Sequence, residues 1–295
     1  VLFSIIIPTY NRLELLRQTL ASVWAQTFTD YEIIVVDDGS TDGTLEYLKS
    51  LNQRVQVLQQ ANRGPGSARN LGVKTARGIY IAFLDSDDVW FPWTLETYAT
   101  LIAQHDSPAF ITGKPFRFDR EEQLAGAVGS AVSAERFDNY YASGDEWRWW
   151  GVSSFVIQAT AFRAAGGFAE ANINGEDADL AMRLGVAAGF VQVLAPSTFG
   201  YRDHTGNVTA NLSKTIAGIW HKVGAENSGA YPGGRNRRRE RREILTRHIR
   251  PVTLECLRAG RRREAWQLYR ATFGWHLRLW RWKFIAGFPL KALCL

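Results

Sequence analysis

Up to Asp88 the chain alternates between short runs of β-formers and stretches with apolar residues every three or four positions. Phe3–Ile7 is one such run, stopped by Pro8. Apolar residues then fall at Leu13, Leu16, Leu20 and Trp24, the spacing of a helix with one buried face. Tyr31–Val36 is a second run, and Leu45, Leu48 and Leu51 mark a second helix that Thr41 or Asp42 can cap. Val55–Leu58 is a third. Gly64-Pro-Gly66 turns the chain into a helix over Ser67–Thr75, and Ile79–Leu84 is a fourth strand. This alternation predicts an α/β fold: a mostly parallel, Rossmann-like sheet with helices on both faces.

Beyond Asp88 the pattern loosens. It predicts a helix over Trp93–Gln104, strands at Ala109–Thr112, Val152–Ile157 and Phe190–Leu194, and a helix from Glu176 to Ala188. Residues 114–150 are mixed. After Lys214 the chain reads as helical, interrupted by Asn227–Gly234 and an arginine run.

The polar residues give these elements a chemistry. Asp85, Asp87 and Asp88 end the fourth strand, and carboxylates packed this tightly repel unless they are solvated, hydrogen-bonded or matched by a cation. At the carboxyl end of a strand in an open α/β sheet they sit where ligands bind. One reading is a hard divalent cation, Mg²⁺ or Mn²⁺; the other is a helix N-cap, with Asp87 or Asp88 starting the helix near Trp93. Tyr10-Asn11-Arg12, Asp37-Asp38, Asn62-Arg63-Gly64 and Ala68-Arg69-Asn70 also follow strands or open helices. In a parallel sheet these clusters line one edge. Carboxylates for a metal, arginines for phosphates and an aromatic ring for a base together suit a nucleotide diphosphate.

The chain resembles the family 2 glycosyltransferases of GT-A fold. The resemblance rests on Ser4-Ile-Ile-Ile-Pro-Thr-Tyr-Asn-Arg12, Val36-Asp-Asp-Gly-Ser-Thr-Asp42, Asn62-Arg-Gly-Pro-Gly-Ser-Ala-Arg-Asn-Leu-Gly72, Phe83-Leu-Asp-Ser-Asp-Asp88 and Gly175-Glu-Asp-Ala-Asp-Leu-Ala-Met-Arg183. It covers residues 3–205. It implies an inverting, metal-dependent transfer of a sugar from a nucleotide diphosphate-sugar, with UDP favoured, to a saccharide or lipid-linked saccharide in surface polysaccharide synthesis. Pro8, Tyr10 and Asp38 would line the nucleobase and ribose. Arg12 and Ser86 belong to the same donor site, and Arg69 would lie near the diphosphate. Asp85 would contact the nucleotide and Asp87 the metal, Mn²⁺ or Mg²⁺. Asp177 would be the catalytic base, held ionised near a helix N-terminus, with Glu176 on the acceptor side. His204 is placed to complete the metal shell, or is an ordinary surface or core histidine. Trp147, Trp149 and Trp150 suit stacking on an acceptor sugar and equally suit core packing.

Charge divides the chain. Residues 1–213 hold 16 Lys+Arg against 24 Asp+Glu, a balance of −8; residues 214–295 hold 19 against 5, a balance of +14. The expected division is a catalytic domain over 1–213, with a nucleotide-sugar half (1–105) and an acceptor half (106–213), followed by a basic helical region over 214–295. In that region Trp266, Tyr269, Phe273, Leu277, Trp280 and Phe284 form an apolar stripe with arginines off it. The stripe fits a helix docked on the catalytic domain or an amphipathic helix on a membrane surface. Arg235–Arg242 fits anionic lipid, nucleic acid or solvent. No apolar stretch is long enough to cross a bilayer. Cys256 and Cys294 make no disulfide framework, and the expected location is the cytoplasm, with peripheral contact on the inner membrane face allowed. Two other function classes compete: a nucleotidyltransferase of related α/β fold, which has no need of Glu176-Asp177, and a nucleic-acid-binding protein using the arginine-rich tail, which the acidic body opposes. Homo-oligomerisation is left open.

Overall fold

β1 (Phe3–Thr9) is buried at all seven positions, which is why its sequence, Ser4 and Thr9 apart, is apolar rather than alternating. It is followed by α1 (Leu13–Trp24), β2 (Tyr31–Asp37), α2 (Thr44–Ser50), β3 (Gln56–Gln59), α3 (Pro65–Thr75) and β4 (Tyr80–Phe83). β1 pairs in parallel with β2 and with β4, and β2 with β3. On one face, Ile5, Ile7 and Val35 share a core with Leu16, Leu20 and Val23 of α1. On the other, α3 lies so close that a Cβ on Gly72 would come within 2.7 Å of Ile6 Cγ2 and 3.2 Å of Val36 Cγ2. The glycine is what lets that helix seat on the strands.

The chain continues through β5 (Val89–Trp90), α4 (Thr94–Gln104), β6 (Phe110–Thr112), β7 (Pro115–Phe118), β8 (Ser133–Phe137), β9 (Phe155–Gln158) and α5 (Ala159–Ala164). It then forms α6 (Glu176–Leu184), β10 (Phe190–Ala195) and β11 (Phe199–Arg202), followed by α7 (Leu212–Ser228), α8 (Arg238–Arg258), α9 (Arg262–Arg278) and α10 (Trp282–Cys294). The large sheet has the order β3-β2-β1-β4-β9-β6-β10-β8. It is mostly parallel, as the alternation predicts. Two strands run against the rest: β9, between β4 and β6, and β8, at the edge beside β10. A second sheet of order β5-β11-β7, which the hydrophobic pattern does not reveal, joins residues that flank the carboxylate cluster.

The computed structural model describes residues 1–144, 151–171, 173–203 and 211–294. The chain divides into two units. The first contains the described residues within 1–140, 148–172 and 187–207, and thus both sheets with α1–α5. The second contains those within 141–147, 173–186 and 208–295, and thus α6 together with α7–α10. Among the described residues no helix is long and apolar enough to cross a membrane.

In the second unit the end of the arginine run is absorbed by the fold, while Arg235, Arg238 and Arg239 stay exposed. Arg241 is buried, and its Nε donates to the buried Glu226 at 2.6 Å while its Nη1 reaches the carbonyls of Pro232 and Gly234. Arg242 shares Glu226 at 3.1 Å. The aromatic stripe is not continuous either. α9 ends at Arg278, Trp280 takes a positive φ of 55°, and α10 folds back so that Tyr269 stacks on Phe288 at 4.4 Å between centroids. The break leaves Trp280 72% exposed, so the stripe's spacing does not carry across the turn.

Candidate functional site

The end of β4 delivers the carboxylates. The strand itself is buried, and the chain turns through Asp85–Asp88 into β5, so neither Asp87 nor Asp88 caps a helix: α4 begins only at Thr94. Oxygens of Asp85, Asp87 and Asp88 all lie within 4.8 Å of one another. Each is held by different partners. Arg69, only 3% exposed, donates to Asp85 Oδ1 at 2.6 Å from α3, with its guanidinium over the Phe168 ring. Arg12, at the start of α1, donates to Asp87 Oδ2 at 2.5 Å. Asp88 is fully enclosed: Ser153 Oγ donates to Oδ2 at 2.5 Å and the Arg202 N–H to Oδ1 at 3.1 Å. Burial above all, then repulsion from Asp87 and Asp85, pushes the Asp88 carboxyl well above the usual carboxylate range, against the pull of its two donors.

Loops at the ends of β1 and β2 are tied to each other. The Thr41 N–H donates to Asn11 Oδ1 at 2.8 Å, and the Asn11 N–H to Ser40 Oγ at 2.9 Å. Asp38 is buried and grips the loop after β3. Its Oδ1 accepts from the Arg63 N–H and the Gln60 amide, and its Oδ2 from the Gly64 N–H at 2.8 Å. That grip fixes the entry into α3 and with it the origin of Arg69. Pro8 is buried in β1, Tyr10 is 45% exposed just beyond it, and Ser86 is buried between the carboxylates. The first unit therefore brings Arg12, Arg69, Asp85, Ser86 and Asp87 together.

The donor set suits a hard divalent cation, which takes carboxylate oxygens and completes its shell with phosphates or water. Asp88 already has a donor on each oxygen, so Asp85 and Asp87 are the residues that would hold the ion. Asp88 acts as a buried prop beneath them. Ser153 ties prop and ligand together, since its Oγ also accepts the Asp85 N–H at 3.1 Å. Arg202 adds a second tie: its Nε donates to the Asp87 carbonyl at 3.0 Å and its Nη2 to Gln18 at 2.6 Å. Neither Ser153 nor Arg202 is conspicuous in the sequence. Arg202 does stand in the polar stretch after the last predicted strand, and Ser153 has no local signal.

In the second unit, α6 carries the acidic motif. Gly175 precedes it with φ 82°, and Glu176, Asp177 and Asp179 occupy its first turn, where the partial positive charge of the helix favours anions. Asp177 Oδ1 accepts the Ala178 N–H at 2.7 Å. Asp179 is buried and structural: Tyr231 donates to it at 2.8 Å and Arg183 at 2.9 Å. Lys222 of α7 is 3% exposed and donates to the Gly175 carbonyl at 3.1 Å. Burial holds its ammonium below the ordinary lysine value, opposed by the charges of Asp177, Asp179 and Glu176. The lysine is a local counter-charge for the acidic turn, contributed from a region with no motif of its own. His204, Trp147, Trp149 and Trp150 lie outside the described residues.

Comparison with known proteins fits this geometry. Residues 4–164, more than half the chain, match the family model for glycosyl transferase family 2. An uncharacterized glycosyltransferase of Rickettsia bellii is 48% identical over 95 residues, 32% of this chain and 14% of that protein. The poly(ribitol-phosphate) beta-N-acetylglucosaminyltransferase TarS of Staphylococcus aureus is 40% identical over 115 residues, 37% of this chain and 20% of that protein. The matches thus span only about a seventh to a fifth of these relatives' length. Among solved structures, S. aureus TarS 1-349 in complex with UDP-GlcNAc gives a TM-score of 0.66 at 21% identity, over 84% of this chain and 73% of that one. The mannosyltransferase PcManGT of Pyrobaculum calidifontis, in complex with GDP-Man and Mn²⁺, gives 0.57 at 16% identity, over 99% and 86%. These likenesses show the fold, and the family match shows the class: the chain belongs to glycosyl transferase family 2 and is a glycosyltransferase of GT-A fold.

Proposed function

We propose that the chain moves a sugar from a UDP-sugar to a hydroxyl of a saccharide, free or lipid-linked, with inversion at the anomeric carbon and with Mn²⁺ or Mg²⁺ at Asp85 and Asp87. The observation that carries this reading is the cluster of three carboxylates at the end of β4, flanked by Arg12 and Arg69. Support for UDP comes from TarS, whose structures hold UDP-GlcNAc and UDP, and support for the metal comes from PcManGT, whose complex holds Mn²⁺.

Pro8, Tyr10 and Asp38 line the nucleobase and ribose, and Ser86 lies within the same donor site. Arg12 and Arg69, which pair with carboxylates, have guanidinium groups able to turn to the diphosphate. Bound divalent metal would offset the charge that builds on the departing diphosphate. Asp177 accepts the proton of the acceptor hydroxyl as its oxygen bonds to the anomeric carbon, and the bond from that carbon to the diphosphate oxygen breaks. Glu176 lies beside the acceptor. One displacement from the opposite face inverts the centre.

A screen of nucleotide sugars with Mn²⁺, read as released nucleotide diphosphate, tests the reading. Release from one UDP-sugar, lost in EDTA, is the expected result. Release that is unchanged in EDTA, or found only with other nucleotides, would refute the metal or the donor assignment respectively.

A further inference from the structure

In the second unit, α8, α10 and the start of α7 line a groove of about 900 Å³. Its chemistry is split. Pro251, Val252 and Leu254 offer apolar surface, with the buried Phe284 and Phe288 behind it, while Arg247, Arg250, Arg258, Lys283 and Lys291 supply cations. The lining holds one acid, Glu255, which pairs with Arg258 at 3.2 Å. Lys283 and Lys291 are exposed, lie two turns apart on α10, and form no ion pair among the described residues. A groove with this excess of positive charge has an anion as its complement, and its apolar lining has no use for a small hydrated one.

The surrounding sequence points the same way. From Ala265 to Leu295 there is no Asp or Glu. Within that run Trp280 and Trp282 are 72% and 50% exposed and form an edge-on pair at 5.7 Å. Leu290, on the Lys283 side of α10 by helical spacing, is 64% exposed, and Leu293 is 82% exposed. Water-facing Trp and Leu beside Lys and Arg, on helices too short or too polar to span a bilayer, are the composition of an interfacial surface.

We propose that this groove binds the phosphate headgroup of an anionic lipid, with Lys283 and Lys291 on the phosphate, Pro251, Val252 and Leu254 against the start of the acyl chains, and Trp280, Trp282, Leu290 and Leu293 in the membrane interface. The proposal is independent of the donor and the acceptor of sugar transfer.

Flotation of the full chain with vesicles tests it. Binding is expected to vesicles of phosphatidylcholine mixed with phosphatidylglycerol and not to phosphatidylcholine alone. The double variant Lys283→Glu/Lys291→Glu should bind the mixed vesicles at least about tenfold more weakly, given the contribution of each basic residue near an anionic surface. Both residues are exposed, so its thermal melt and its nucleotide-diphosphate release should match wild type; Lys283→Ala/Lys291→Ala provides the same test if the reversed variant melts early. Equal binding to neutral vesicles, or undiminished binding by a folded variant, overturns the proposal. Binding of inorganic phosphate in calorimetry, lost in the double variant, with no binding to the mixed vesicles assigns the groove to a free anion and also overturns it. So does a dimer in light scattering that the variants abolish, because the groove would then hold a second copy of the chain.

Discussion

Arg12 and Asp87 meet at 2.5 Å across 75 residues of chain, joining the loop after β1 to the loop after β4. Arg69 and Asp85 make the parallel contact at 2.6 Å. Two guanidinium groups thus stand against the two carboxylates proposed to hold a metal. In the proposed function these cations would pivot to phosphate oxygens once an ion takes the carboxylates.

Asp87→Ala removes the metal side of that arrangement. Asp88, its Ser153 and Arg202 donors, and β5 are untouched, so the variant should fold. Calorimetry with UDP and Mn²⁺ should show that the metal-dependent part of the affinity has disappeared. A folded variant that keeps that metal-dependent affinity would remove Asp87 from the ligand set.

Ser153→Ala tests the prop. The substitution strips a hydrogen bond from a buried carboxylate that burial and two neighbouring charges already disfavour. Leaving such a group short of a donor costs about 1–3 kcal/mol. Urea unfolding should show a loss in that range. A loss of a few tenths of a kcal/mol would mean that the contact contributes little to Asp88.

These contacts mark the boundary of what the sequence conveys. The first four strands, their helices and the Asp85–Asp88 cluster follow from local periodicity, because each buried strand and each one-sided helix writes its own pattern. The tie from Ser153 to Asp88 spans 65 residues, that from the Arg202 N–H to Asp88 spans 114, and that from Lys222 to Gly175 spans 47. Single polar residues that find partners at such separations leave no periodic trace. Nor does strand direction: Phe155–Gln158 is apolar like its neighbours, and nothing in its composition says that it inserts antiparallel between β4 and β6. The aromatic stripe misleads for a related reason. Its spacing continues past Arg278, but the backbone does not, because Trp280 turns with positive φ.

His276 should make the second unit sensitive to acid. It is buried with neither ring nitrogen bonded among the described residues, and its ring lies 4.4 Å from Phe284. Burial, with Arg250 and Arg281 nearby, lowers it from 6.5 to about 4. A depressed folded value means that the contribution to stability is fully present above pH 6.5 and is lost as pH falls through about 4, amounting to roughly 3 kcal/mol. His248, half-buried beside Arg247 and Lys222 and also held well below its ordinary value, adds in the same direction. His276→Leu should flatten the fall in urea midpoint between pH 7 and pH 4.5. Parallel falls in the two proteins would locate the acid sensitivity elsewhere.

Asp177 is where the transfer chemistry should be concentrated. A base acts on the acceptor and leaves donor binding alone. Asp177→Asn keeps the size of the side chain and an oxygen for the Ala178 N–H, which Asp177 Oδ1 now accepts at 2.7 Å. What disappears is the negative charge and the ability to take a proton. Donor and metal affinity should stay near wild type, because the proposed function assigns them to Asp38, Asp85 and Asp87. Transfer to acceptor should fall by roughly 10²–10⁴-fold, the usual share of general base catalysis. Lys222→Met separates position from chemistry. It removes the counter-charge behind the first turn of α6 and the bond to the Gly175 carbonyl. Without the ammonium the acidic turn is harder to ionise, so the lower limb of the rate–pH profile should move to higher pH while donor affinity holds. A purely structural role for Lys222 would lower the rate at every pH without moving that limb. If folded Asp177→Asn transfers sugar at near wild-type rate, the base is another group, and Glu176 is the next carboxylate to replace.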